Sequence, residues 1–177
     1  MQNVNKSGFD LIKEFEGLRL TAYKCSADVW TIGYGTTARA GVGIVPEAGM
    51  TITKAEADYY LEKGVNKFAD KIRSGIIAPI NSNEFSAFVS LAYNIGPSKF
   101  LRSSALRHFN AGNKAKASAS ILLWNKAGGK VLRGLQRRRL AEQALFQKEI
   151  TSVLHKPAQP SRNAIFHFLS MLFGAKK

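Results

Sequence analysis

Glu16 ends an apolar stretch of helical spacing, Phe9, Ile12 and Phe15, and Cys25, Asp28 and Thr31 follow in the short polar segment after it. Groups able to give, take or steer a proton are thus gathered about one turn of chain. A carboxylic acid at the C-terminal end of a helix, flanked by Phe15 and Leu18, has two reasons to hold its proton. Burial disfavours the charge, and so does the negative end of the helix dipole. A retained proton is what a general acid needs to cleave a glycosidic bond. A lone glutamate near a helix end is more often a solvated residue or an ion-pair partner, so the residues around it decide between the two readings.

The elements that would position these groups follow from pattern. Ser7 with Asp10 three residues on resembles a capping box with an acid in the Glu/Gln place, which predicts a short first helix that Gly17 stops. Beyond it the spacing is that of strands. Leu18, Leu20 and Ala22 alternate with Arg19, Thr21 and Tyr23, and Trp30, Ile32 and Tyr34 alternate with Thr31, Gly33 and Gly35. A face of threonine and glycines leaves room for a bulky ligand. Residues 38–50 read as loop with at most one short strand, and Gly41 and Gly43 are not followed by the Lys-Ser or Lys-Thr of a phosphate loop.

Thr53 with Glu56 opens a helix through about Lys63 that can run on towards Ile72. Asn81 with Glu84 opens another, through Phe85, Phe88, Val89, Leu91 and Ala92, ended by Gly96-Pro97. This second one reads as the buried central helix. Further helices are expected over 103–110, 114–124 and 134–149. The plan is α+β: a small β-hairpin lobe, a larger helical lobe, and a cleft between them with Glu16 at its floor.

Composition sets the class. The 177 residues are 45% hydrophobic and 21% charged, enough for one core. The formal net charge is +14; residues 151–177 hold Lys156, Arg162, Lys176 and Lys177 and no acid, so most of the charge belongs to the domain. Such a balance attracts polyanions without choosing among nucleic acid, membrane and cell envelope. Cys25 is the single cysteine and His108, His155 and His167 are scattered, so no intrachain disulfide and no metal cluster is expected, and no cofactor. The N-terminal residues lack the apolar core of a secretory signal.

The strings Glu16-Gly17-Leu18-Arg19-Leu20, Ala22-Tyr23-Lys24 and Trp30-Thr31-Ile32-Gly33-Tyr34-Gly35 resemble those of phage-type lysozymes, the endolysins of glycoside hydrolase family 24. The likeness continues through 85–96, 103–106 and 124–132 to Gly134-Leu135 and Arg137-Arg138-Arg139. The resemblance implies a lysozyme-like fold and a catalytic pattern of Glu, eight residues, Asp or sometimes Cys, five residues, Thr, which falls on Glu16, Cys25 and Thr31. It makes Glu16 the acid, with the other two holding and activating water on the opposite face of the sugar. Cys25 departs from the commoner aspartate. An ordinary thiol, with a pKa of about 8.5, is only slightly ionised at neutral pH unless a neighbour such as Lys24 lowers it. Cys25 as base, Cys25 as nucleophile and Thr31 orienting water alone stay open, with Asp28 a lesser candidate beside its turn-capping role.

The resemblance further places Tyr93 and Asn94 on the cleft wall, Tyr93 to stack on a sugar and Asn94 to hydrogen-bond near Glu16. Thr36 stands where many relatives have histidine, and Trp124 is assigned to packing. Arg137, Arg138 and Arg139 step by ~100° around a helix, so they cannot all face one partner. One is expected to be solvated, and another to pair with Glu16 or with carboxylates of peptidoglycan stem peptides. No nucleic-acid fold motif accompanies them, so no specific nucleic-acid partner is expected.

The chain thus divides into a catalytic domain at 1–150, a linker at 151–163 and an apolar, basic tail at 164–177, too short to span a bilayer. Ile165, Phe168, Leu169 and Leu172 would share one helical face, which suits an anionic membrane surface; packing on the domain is the alternative. Deleting 158–177 should spare peptidoglycan cleavage and weaken liposome binding. The expected activity is hydrolysis of the β-1,4 bond between N-acetylmuramic acid and N-acetylglucosamine by a monomeric endolysin, held in the host cytoplasm until a holin-like lesion admits it to the wall. A lytic transglycosylase, which forms 1,6-anhydro ends, and a non-enzymatic membrane- or wall-disrupting protein are the rivals.

Overall fold

A computed structural model describes residues 2–149; the linker and tail expectations for 151–163 and 164–177 lie outside the described residues. In chain order the elements are α1 (Lys6–Glu16), β1 (Arg19–Lys24), β2 (Trp30–Gly33), β3 (Thr36–Thr37), a 3-10 turn (Ala38–Ala40), α2 (Lys54–Arg73), α3 (Ser82–Ile95), α4 (Pro97–Leu101), α5 (Ser104–Asn110), α6 (Lys114–Ile121), β4 (Lys126–Ala127), β5 (Lys130–Val131) and α7 (Arg133–Gln147). This is the expected α+β plan, with the helices making its bulk.

Helix α1 starts earlier than the Ser7 pattern suggests. Asn5 is the cap, its side chain accepting a 3.0 Å hydrogen bond from the Gly8 N–H. The reason is tertiary: the Asn5 N–H donates to Ser86 Oγ at 3.0 Å and its side-chain amide to Asn83 Oδ1 at 2.6 Å, so contacts with α3 select the cap. The same approach requires a glycine at position 8, where a Cβ would lie 2.6 Å from that of Ser86.

The other two capping boxes form in full at Thr53/Glu56 and Asn81/Glu84. Helix α3 is the central one, buried from Asn83 through Ala92. Its Phe88 ring stands 5.0 Å from Phe100, 5.2 Å from Phe109 and 5.1 Å from Phe146, joining α4, α5 and α7 in one aromatic cluster. Trp124 packs against this core. Pro97 does more than end α3. It opens α4 at a first-turn position, where its missing N–H costs nothing, and that short helix was not expected. Gly128 and Gly129, both at positive φ, join β4 to β5 in a two-residue hairpin that fills the gap between the helices expected over 114–124 and 134–149.

The three-stranded antiparallel sheet has the order β1-β2-β3, with Tyr23 opposite Thr31, Thr31 opposite Thr37 and a register shift between Arg19 and Tyr23. That irregularity breaks the simple alternation expected of β1, and Leu18 and Leu20 are exposed. The expected open face of Thr31, Gly33 and Gly35 is largely closed. Helix α2 lies over it, a Cβ on Gly33 would meet Ala57 at 3.4 Å, and Thr31 and Gly33 are buried. Gly35 alone of the three stays exposed.

Candidate active site

Glu16 is the last residue of α1, and its carboxylate is divided between two tasks. Oε1 accepts a 2.7 Å charge-assisted hydrogen bond from Arg138 Nη1, whereas Oε2 faces Gly35, where a Cβ would come within 3.7 Å. Gly35 has φ +83°, a conformation other residues reach only at a cost, so the chain passes Glu16 without a side chain in the way. The Glu16 side chain is 23% exposed, partly sheltered at the edge of the cleft.

Arg138 is itself held. Its Nε donates to Glu142 Oε1 at 3.2 Å, and Glu142, 0% exposed, also accepts from Ser90 Oγ at 2.8 Å and Arg139 Nη2 at 3.1 Å. A buried carboxylate between two buried guanidiniums leaves no charge without a partner. The arginine triplet divides as its helical steps require: Arg138 and Arg139 point inward, while Arg137 is exposed and lies over Phe15, 5.5 Å from the ring centre.

Cys25 occupies the turn between β1 and β2, its N–H donating to the Val29 carbonyl at 3.0 Å and its carbonyl accepting from the Asp28 N–H at 2.9 Å. Its thiol pKa is lowered, first by the Ala27 N–H and then by that of Val29. Burial opposes this, and the Thr31 hydroxyl adds a smaller lowering. Lys24 is not the cause suggested by sequence. Its ammonium is committed to Asp28 at 2.8 Å, and Asp28, 78% exposed and in the left-handed region at φ +57°, sits at the tip of the turn. Thr31 is buried and donates to the Val29 carbonyl at 3.0 Å.

Tyr93 and Glu16 line one cavity of about 390 Å³, together with Gly35, Thr36, Tyr60 and Phe68. The Tyr93 ring leans on Phe68 at 4.9 Å, and its phenol is pushed up to about 12 by burial and then by the Glu16 charge, so it remains a donor. Asn94 is not bonded to Glu16. Its Oδ1 accepts from Arg139 Nη2 at 3.0 Å, because the last turn of α3 faces α7 there. Cys25 and Thr31 belong to the adjoining hairpin and are not among the cavity's lining residues.

Sequence reasoning missed Glu142 and Ser90 behind Arg138. The signal was present: Glu142 is the one acid of α7, three and four residues from two arginines. It also missed Arg39, Tyr60, Lys67, Phe68 and Lys71 along the cavity, although the last four recur at helical spacing on α2.

Residues 13–142 match the family model described as phage lysozyme. The chain is 41% identical over 145 residues to an endolysin of Bacillus phage PZA, covering 81% of this chain and 54% of that protein. It is 38% identical over 146 residues to the endolysin of Salmonella phage P22, covering 82% and 99%. It thus spans about half the length of the first and nearly all of the second. A crystal structure of a P22 lysozyme mutant matches with a TM-score of 0.75 at 37% identity, over 84% of this chain and 100% of that one. The muramidase domain of SpmX from Asticaccaulis excentricus matches with a TM-score of 0.76 at 31% identity over the same shares. Since the matched segment begins in the helix that ends at Glu16 and extends into the helix whose Arg138 holds it, the chain belongs to the phage lysozyme family.

Proposed function

We propose that the protein is an endolysin that hydrolyses the β-1,4 bond between N-acetylmuramic acid and N-acetylglucosamine in peptidoglycan. The observation that carries this reading is the divided carboxylate: Arg138 holds Oε1 of Glu16, and Oε2 faces Gly35 at an aromatic-lined cavity. In its protonated form Glu16 gives its proton to the bridging oxygen as the C–O bond breaks, and the leaving sugar departs as an alcohol. Water attacks the anomeric carbon from the other side and gives up a proton there. The Cys25 thiolate, favoured by two backbone N–H groups, is the acceptor beside Thr31. Arg138 is a positioning residue in this scheme. Release from the host cytoplasm through a membrane lesion brings the enzyme to its substrate, in keeping with the name endolysin carried by the relatives.

The test is product analysis on purified peptidoglycan. Wild type should leave reducing ends, and Glu16→Gln should lower their release by about 10²–10⁴-fold with the fold intact. Products ending in 1,6-anhydro sugars would replace hydrolysis by transglycosylation. Lysis of permeabilised cells at full rate by Glu16→Gln would replace enzymatic action by disruption.

A further inference from the structure

Between Glu84 and Glu142 the chain carries eleven lysines and arginines and no acid. Lys114 is committed to Glu84, Arg138 to Glu16 and Glu142, and Arg139 to Glu142. The rest have no carboxylate within ion-pair distance among the described residues. An unbalanced positive surface of this kind attracts polyanions, and the β4–β5 hairpin shows which kind.

Residues 126–134 are exposed without interruption. They comprise both strands of the hairpin, its Gly128-Gly129 turn, Leu132 and the first two residues of α7. The base is held by Trp124, packed against the core, and by the Leu132 N–H, which donates to the Asn125 carbonyl at 3.0 Å. Lys126 stands opposite Val131, and Ala127 opposite Lys130. Directly opposed residues share a face, so each face of the ribbon sets one cation beside one apolar side chain. Val131 and Leu132 are 48% and 45% exposed, and Arg133 follows them. The tip is two glycines, with no side chain to obstruct an approach.

Three kinds of partner could meet such a surface. A protein strand adding to the ribbon's edge is discouraged by the lysine in each strand. A nucleic acid would satisfy the cations, but its bases are held by aromatic stacking, and residues 126–134 include no aromatic. Val131 and Leu132 would be left in water. An anionic bilayer takes both components. Its phosphates meet the ammonium and guanidinium groups while the aliphatic side chains enter beneath them, with the lysine stems lying along the boundary.

We propose that the β4–β5 hairpin, with Leu132 and Arg133, is a docking surface for anionic lipid that enters the headgroup layer through Val131 and Leu132. It shares no residue with the lining of the Glu16 cavity, and it is made of other residues than the tail at 164–177. Docking of this kind concentrates the protein at a membrane whether or not Glu16 is active.

The experiment compares binding of the full chain to vesicles of phosphatidylcholine alone and to vesicles with about 30% phosphatidylglycerol. Wild type should bind the second kind only, and more weakly as salt rises. Lys126→Glu with Lys130→Glu should weaken that binding at least about 10-fold, and Val131→Ser should weaken it roughly 3-fold. Every protein compared keeps the tail, so its contribution cancels. In Val131→Trp, brominated lipid should quench the added indole beyond the loss seen in wild type, which has Trp30 and Trp124. No binding by wild type, or binding unchanged by the charge reversal, would overturn the inference. Weakened binding with no added quenching would overturn it too, because the hairpin would then be a contact for polyanions in general. The substituted side chains are all exposed, so an unchanged Tm checks the fold.

Discussion

Arg138 Nη1 lies 2.7 Å from Glu16 Oε1 and joins residues separated by 122 positions in the chain. The same guanidinium reaches Glu142 through Nε, so one planar group sets the candidate acid relative to the buried centre of the helical lobe.

That arrangement predicts that Arg138→Lys is not conservative. A lysine keeps the charge but lacks the fork that spans Glu16 and Glu142, so kcat on peptidoglycan should fall at least about 10-fold while the fold is retained. Glu142→Gln acts on stability instead, leaving two buried guanidiniums short of a counter-charge, and should cost about 3–5 kcal/mol in urea unfolding. Full activity in Arg138→Lys would remove the positioning role.

Cys25 is predicted to be more reactive than an ordinary thiol. Its pKa is lowered by the Ala27 and Val29 N–H groups, so iodoacetamide should alkylate it at neutral pH faster than it alkylates free cysteine, and activity should be lost in step. Cys25→Asp should keep activity, because a carboxylate accepts a proton at the same place, and Cys25→Ala should lose about 10²-fold or more. An active Cys25→Ala would leave water activation to Thr31 alone.

The placement of Glu16 at a helix end, Cys25 in a turn and Thr31 on a strand was legible because local pattern sets it, whereas their grouping as a catalytic set came from the resemblance to a family. The two full capping boxes and the central helix were legible for the same reason, each set by residues within a few positions of one another. What escaped depends on distant chain. Asn5 caps α1 because Ser86 and Asn83 hold it, Gly33 is closed off by Ala57 of α2, and Asn94 turns to Arg139 of α7. None of these is written in the neighbouring sequence.

Asp58 gives a pH dependence of stability whose sign is fixed by its partners. Lys13 Nζ at 2.7 Å, Lys54 Nζ at 2.7 Å and the Tyr34 hydroxyl favour its ionised form, with Lys13 first, and lower its pKa from 3.8 to about 2. A carboxylate with a depressed folded-state pKa binds fewer protons folded than unfolded. It therefore contributes stability fully above its unfolded value, and that contribution drains away as pH falls from about 4 towards about 2. The pairing ties Lys13 of α1 to Asp58 near the start of α2, so its loss should loosen the helix that ends at Glu16. Asp58→Asn should be less stable than wild type at neutral pH, and its urea midpoint should vary less between pH 4 and pH 2. Parallel acid profiles for the two proteins would show that other carboxylates govern the transition.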